Sequence, residues 1–347
     1  MKSRFFGQNE SIHQQVKASS SKKIAVLLTN LGTPTEPTAS ALRRYLREFL
    51  SDPRVVEIPR LVWMMILHGI VLRIRPARSA KLYQRIWTKH GSPLMVISRA
   101  QQQRVSDVIT EQHGEHVKVM VAMRYGEPTI ANALRECQAQ GAQTLIVLPL
   151  YPQYASPTTG STFEAVTREL NSWRWIPHLH FINGYHDHPL YIQALATTVQ
   201  EYIALHGQPD RLLLSYHGMP KQFLTWGDPY FCFCQKTSRL LIDQLSIASE
   251  HVLTTFQSRF GKAEWLQPYT DDVLAALPAE GVKHVAIMSP AFSADCLETL
   301  DELEHESRQV FLNAGGETYH YIPALNARDD HIQLLTSLLS TEIAKHT

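Results

Sequence analysis

The chain repeats its own plan, and that repetition limits the fold more than any single motif does. Val117 to Met123 leads into Arg124-Tyr125-Gly126-Glu127-Pro128, and Val252 to Gln257 leads into Ser258-Arg259-Phe260-Gly261, so each reads as strand, arginine, aromatic, glycine. Gly141-Ala142-Gln143 precedes the apolar run Thr144 to Leu148 and Pro149, just as Gly281-Val282-Lys283 precedes His284 to Met288 and Pro290. The opening run Ile24 to Asn30 with its turn Leu31-Gly32-Thr33-Pro34 returns as Leu212 to Ser215 with Tyr216-His217-Gly218-Met219-Pro220. Short apolar runs bounded by turn residues and separated by helical stretches are the pattern of parallel strands with crossover helices. The expectation is an α/β protein of two similar Rossmann-like halves, each a parallel sheet flanked by helices. The loops that follow the strands should then line one cleft between the halves. By sequence the halves fall at 22–172 and 173–347, after a flexible leader at 1–21. An amphipathic helix from about Asp329 to Ala344 is expected to close the second half.

A duplicated plan makes the differences between halves informative. Where the first half has Leu31 the second has His217, and where the first has small polar residues from Ser156 to Ser161 the second has Asp295 followed by Glu298, Glu302 and Glu306. At about 100° per residue these acids drift slowly around a helix and form one row. Like charges four apart repel. The macrodipole favours carboxylates in a first turn, and Asp295 with Glu298 fits a capping box, but neither argument reaches Glu302 or Glu306. A solvated face and a cation-handling row both remain open from spacing alone. One lobe thus reads as a binding wall and the other as a chemical one, with His217 either a satisfied structural residue or a proton carrier.

Composition excludes several classes. A formal net charge of +1 over 347 residues, without zinc-finger spacing or a basic helix, implies no nucleic-acid partner. Neither Gly-x-Gly-x-x-Gly nor a phosphate loop is present, so nucleotide binding lacks its backbone cradle. Four scattered cysteines suit a reducing compartment rather than a disulfide framework, and the polar start carries no apolar signal region, so a cytoplasmic setting is expected. Cys232 and Cys234 are too few for an iron–sulfur cluster and are read as structural or incidental. The segment 58–75 is unusual. Its apolar part, Leu61 to Leu72, is shorter than the roughly 20 residues a membrane span needs, yet it lacks a polar face and is flanked by Arg60, Arg73 and Arg75. It is either a buried helix or an apolar lip for a bilayer surface or a flat greasy ligand.

Asn30-Leu31-Gly32-Thr33-Pro34, Arg124-Tyr125, Tyr151-Pro152-Gln153-Tyr154, Ser215 to Pro220 and Ala294 to Leu300 occur in the order found in ferrochelatases, and from about Lys22 to Ala327 the chain resembles the proteobacterial protoporphyrin enzymes of that family. The resemblance implies insertion of Fe²⁺ into protoporphyrin IX with release of two protons, the last step of haem synthesis. It implies His217 and Glu298 as the catalytic pair, and His217, Glu298, Asp295, Glu302 and Glu306 as the metal-handling set. Leu31, Arg75, Ser92, Arg124, Tyr125 and Tyr151 match porphyrin-binding positions, with the propionate-side alignment of Arg75 and Ser92 loose. Leu31 stands where some members have Met or Tyr, and Cys296 where animal members have His, which leaves the metal's coordination open. The partners implied are protoporphyrin IX and Fe²⁺, with peripheral contact at the inner membrane. A monomer is expected, with a dimer left open. No cofactor beyond the substrate iron is expected, and no iron–sulfur cluster, because the cysteine-bearing extension of animal members is missing. Two rivals stand beside this reading: a cobalt- or nickel-inserting chelatase, against which the greasy lip argues, and a non-catalytic two-lobed binding protein.

Overall fold

Ile24–Gly32 (β1) is buried along almost its whole length because it is the inner strand of a parallel sheet covered on both faces. The computed structural model describes Phe5, residues 22–261 and residues 263–346; the leader expected at 1–21 lies, Phe5 apart, outside them. β1 is joined by Val117–Tyr125 (β2), Thr144–Pro149 (β3) and His178–Phe181 (β4) in the order β2-β1-β3-β4. Arg211–His217 (β5), Val252–Gln257 (β6), His284–Met288 (β7) and Thr318–Tyr321 (β8) repeat that order as β6-β5-β7-β8, and every pairing in both sheets is parallel.

The duplication extends to the register. Ile24 pairs with Thr144 and Arg211 with Val285, which places Leu31 and His217 at equivalent points at the ends of the two inner strands. Met123 N–H donates to Pro128 O and Phe256 N–H to Pro268 O, and both prolines follow cis peptide bonds. The glycines that follow Leu31 and His217 are required by close approach. A Cβ on Gly32 would lie 1.8 Å from Tyr125 O, and one on Gly218 would lie 2.5 Å from Gln257 O.

The first half carries Ala39–Leu50 (α1), Arg60–Ile66 (α2), Leu72–Ile86 (α3), Pro93–His113 (α4), Ile130–Ala139 (α5) and Ser161–Leu170 (α6), with π-helical turns at Leu67–Val71 and Ser156–Gly160. Pro189–His206 (α7) is the connection to the second half, which adds Lys221–Thr225 (α8), Tyr230–Ile242 (α9), Thr270–Ala276 (α10), a ten-residue π-helix at Glu298–Ser307, Arg308–Asn313 (α11) and Asp329–Ile343 (α12).

Two boundaries differ from the sequence expectation. β4 lies beyond residue 172 yet completes the first sheet, and α12 does not close the second half: it packs on β3 and α4 of the first. His113 Nε2 lies 2.8 Å from Ser340 Oγ, and His180 Nδ1 lies 3.1 Å from Glu342. Reciprocally, α7 packs toward α9, and its Tyr202 hydroxyl lies 2.6 Å from His284 Nε2 at the start of β7. Each half therefore ends in a helix seated between both sheets, and one apolar core runs through β1, β3, α7, β5, β7 and α12 without a break. The reason is burial: both helices have apolar residues on more than one face, and only a position shared between the halves covers them.

Candidate active site

The strand ends that meet between the halves bring His217 and the start of the π-helix to one wall. His217 closes β5, and its Nδ1 lies 2.7 Å from Gly218 O. A carbonyl can only accept, so Nδ1 carries a proton, and in the neutral ring Nε2 is the acceptor nitrogen. The ring centroid is 6.3 Å from that of Phe292 in the loop after β7. Gln257, at the end of β6, ties the neighbouring elements together: its Oε1 accepts from Ser215 Oγ at 2.9 Å and its Nε2 donates to the backbone oxygen of Glu298 at 2.9 Å.

The acidic row is divided by its environment. Asp295 is buried, and its carboxylate accepts from Thr299, Tyr321, Asn326 and the Ala324 N–H, at 2.9, 2.6, 2.7 and 3.3 Å. It is a joint that fixes the loop rather than an open ligand at the mouth of the row. The expected capping box is replaced as well, because the Asp295 N–H that Glu298 would accept donates instead to Asn326 Oδ1 at 2.8 Å, and Thr299 Oγ1 takes the Cys296 N–H at 3.0 Å. Glu298 is partly exposed at the head of the π-helix. Glu302 accepts from the Ser258 N–H at 2.6 Å and from its hydroxyl at 2.5 Å. Burial pushes the Glu302 carboxyl up to about 7, with the charges of Glu298 and Asp271 adding to the rise and the Ser258 hydrogen bonds opposing it. Glu306 is exposed at the far end, 3.5 Å from Arg85. Among the described residues, no three His, Cys, Asp or Glu side chains converge as a metal cage; the donors are strung along a path.

The opposite wall is apolar. Leu31, Trp63, Met64, Val71, Leu297 and Leu300 are partly buried side chains of one cluster that joins the lip, the end of β1 and the π-helix. Arg75 lies with its guanidinium 5.8 Å from the Phe260 ring and is a charge partner of Glu298. Tyr151 has a buried hydroxyl with no hydrogen-bond partner.

Other expected wall residues face inward. Tyr125 is fully buried and donates to Asp52 at 2.8 Å, while Arg124 pairs with the same carboxylate at 2.5 Å and donates to Ser161. Burial alone would raise the Asp52 pKa, but hydrogen bonds from Ser161, the Arg54 N–H and Tyr125, with the Arg124 charge, hold it below the usual carboxylate range. Ser92 is buried against the Thr33 hydroxyl at 2.8 Å. These three residues shape the wall from behind. Cys296 is buried, and burial, reinforced by Glu298, pushes its thiol well up.

Several members of the site escaped the sequence reading. Tyr45 and Tyr83 are buried phenols whose ionisation is opposed by burial and, in lesser part, by the charge of Glu298, and the Tyr45 hydroxyl donates to Gly32 O at 3.1 Å. Gln257 and Ser258 also belong to it, and Ser258 adopts φ +63. Their one signal is a pair of polar residues at the carboxyl end of an apolar strand.

In the lip, α2 buries none of its residues, and Leu61, Met65, Ile70 and Ile74 are 83, 69, 56 and 51% exposed. The core-helix alternative is thereby ruled out for α2, although Leu67 and Leu72 do point inward. Among the described residues no helix is long and apolar enough to cross a membrane.

The sequence profile of the Ferrochelatase family matches residues 23–343. The chain is 60% identical over 317 residues to "Ferrochelatase 2" of Shewanella oneidensis, covering 91% of this chain and 97% of that protein. It is 56% identical to the ferrochelatase of Shewanella denitrificans, again over 91% and 97%, and 50% identical to that of Marinobacter nauticus, over 92% and 87%. Among solved structures it shares its fold with SirB from Bacillus subtilis with Fe³⁺, at a TM-score of 0.53, 13% identity and coverage of 92 and 94%. It also shares its fold with CbiX, the terminal enzyme for biosynthesis of siroheme in denitrifying bacteria, at a TM-score of 0.51, 11% identity and coverage of 92 and 99%.

Proposed function

We propose how the cleft works from the premise that this chain belongs to the ferrochelatase family and inserts Fe²⁺ into protoporphyrin IX to form protohaem. In this reading the porphyrin lies between the apolar cluster of Leu31, Leu297, Leu300 and the lip on one side and the His217 wall on the other. A flat, greasy macrocycle is matched by such a surface. Arg75 offers a charge to a propionate, and the orphan Tyr151 hydroxyl offers a donor.

His217 is the base. Two pyrrole protons must leave as the metal enters, and an imidazole oriented by Nδ1–H donation to Gly218 O presents Nε2 to receive them one at a time. Glu298 supplies a carboxylate for the metal or the charged macrocycle. Iron is substrate here, so it must be held loosely enough to hand over, and carboxylate with imidazole is a softer grip than thiolates. Glu302, with its carboxyl at about 7, is equipped to pass a proton near neutral pH, and Glu306 opens the row to solvent. Asp295 holds the loop that carries Glu298. No resident cofactor is required, and the lip contacts the bilayer surface from which a greasy substrate arrives.

The observation that carries the mechanism is the geometry of His217, with Nδ1 committed to the Gly218 carbonyl and Nε2 without a hydrogen-bond partner among the described residues. The deciding experiment is anaerobic turnover of Fe²⁺ and protoporphyrin by the purified protein, followed as loss of porphyrin fluorescence. A protein that metallates only tetrapyrroles with many carboxylates would sink the assignment of substrate.

A further inference from the structure

We propose that Arg85 gates the outer end of the acidic row, keeping Fe²⁺ out until the porphyrin is seated. The inference rests on the reading of Glu298, Glu302 and Glu306 as the metal's path. Arg85 lies near the end of α3 in the first half, and both its partners lie on the π-helix of the second. Its Nε is 3.0 Å from Asp301 Oδ1, its Nη2 donates to Asp301 Oδ2 at 3.1 Å, and Nη2 is 3.5 Å from Glu306 Oε1. The Asp301 carboxylate is only 3% exposed and serves as a fixed anchor, whereas Arg85 and Glu306 are about half exposed. The same two residues, with His305 and Gln309, line a cavity of about 450 Å³ that opens to solvent.

The charge pattern explains why a guanidinium here acts as a gate. Two carboxylates at the mouth of an acidic path would collect a divalent cation, and Arg85 already occupies the position such a cation would take. An incoming ion must displace it. Only the Arg85–Glu306 contact has to open, and a pair in which both partners are about half exposed is weak, so its opening is within reach of a modest movement of α3 while Asp301 stays bound. That helix is the element the substrate would move: it begins at the lip and carries Arg75, which lies over Phe260 of the opposite half and faces Glu298. A planar ligand wedged between Arg75 and the second half bears on α3 just before Pro76, the helix's interior proline, and displacement of the segment beyond it draws Arg85 from Glu306. Arg85 is thus a positioning residue for metal entry and touches neither the porphyrin nor the reacting nitrogens.

The test is a titration of the full-length enzyme with Fe²⁺ under anaerobic conditions, with the cleft empty or filled by zinc protoporphyrin, whose centre is already occupied. Arg85→Gln should bind Fe²⁺ about fivefold more tightly than the unaltered protein when the cleft is empty. The unaltered protein should reach that affinity only with zinc protoporphyrin bound. Arg85→Lys should follow the unaltered protein, and kcat at saturating substrates should not change. Equal Fe²⁺ affinity of Arg85→Gln and the unaltered protein in the empty state overturns the gate, as does an affinity indifferent to zinc protoporphyrin. Glu306→Gln separates this failure from a failure of the path itself. If Glu306→Gln weakens Fe²⁺ binding while Arg85→Gln has no effect, the gate alone is wrong. If Glu306→Gln leaves Fe²⁺ binding unchanged in both Arg85 backgrounds, the path is wrong and the gate falls with it.

Discussion

The Glu302 carboxylate is held by Ser258, whose backbone N–H and hydroxyl both donate to it while its own φ of +63 lies in the left-handed region. A non-glycine residue adopts that conformation at a cost of order 1–3 kcal/mol. The hydrogen bonds to Glu302 explain why the surrounding structure tolerates it, and the pair places a carboxyl raised to about 7 one turn beyond Glu298.

Replacing Glu302 by Gln is expected to alter both stability and catalysis with pH. With the folded carboxyl raised from 4.5 to about 7, the native state binds more protons than the unfolded chain between those values, so its contribution is present below 4.5 and is lost as pH rises through 7. At most about 3 kcal/mol is involved. Urea unfolding at pH 5 and pH 8 should show that slope reduced in Glu302→Gln, and the dependence of rate on Fe²⁺ or pH should move with it. A changed stability with both rate dependences intact would make the row a solvated face.

Loss of the proposed base should be severe and selective. His217→Ala is expected to reduce turnover by about 10²- to 10⁴-fold while porphyrin still quenches intrinsic fluorescence. Retained turnover, or loss of folding together with binding, would make His217 structural.

The lip predicts a contrast within one helix pair. Leu61→Ser with Met65→Ser alters only exposed apolar surface and should release the protein from anionic liposomes and raise KM for porphyrin with little change in Tm. Leu67→Ala, at a fully buried position, should instead cost about 2–5 kcal/mol by leaving a cavity. Equal liposome partition before and after the double substitution would remove the membrane from the picture.

Asp52 anchors the wall from behind through Arg124, Tyr125 and Ser161. Asp52→Ala strands a largely buried guanidinium, so chemical unfolding should show a loss of about 3–5 kcal/mol. A loss below 1 kcal/mol would mean that Arg124 finds solvent.

The motifs repeated in the sequence were sufficient to indicate two parallel α/β halves, because strand ends, turn glycines and crossover helices depend on local order along the chain. They also marked Leu31 and His217 as counterparts, which the strand registers reproduce. Local order could not say which half a helix covers. β4 completes the first sheet from beyond residue 172 by pairing with β3, and α12 returns to the first half, where its apolar residues are buried. Nor could spacing separate one carboxylate from another. Asp295, Glu298, Glu302 and Glu306 read as one row, and only the tertiary structure made them different. Asp295 is saturated by Thr299, Tyr321 and Asn326, Glu302 is raised by burial against Ser258, and Glu306 is left beside Arg85. The physical reason is that a carboxylate's chemistry is set by its burial and its partners, and those come from segments far away in the chain.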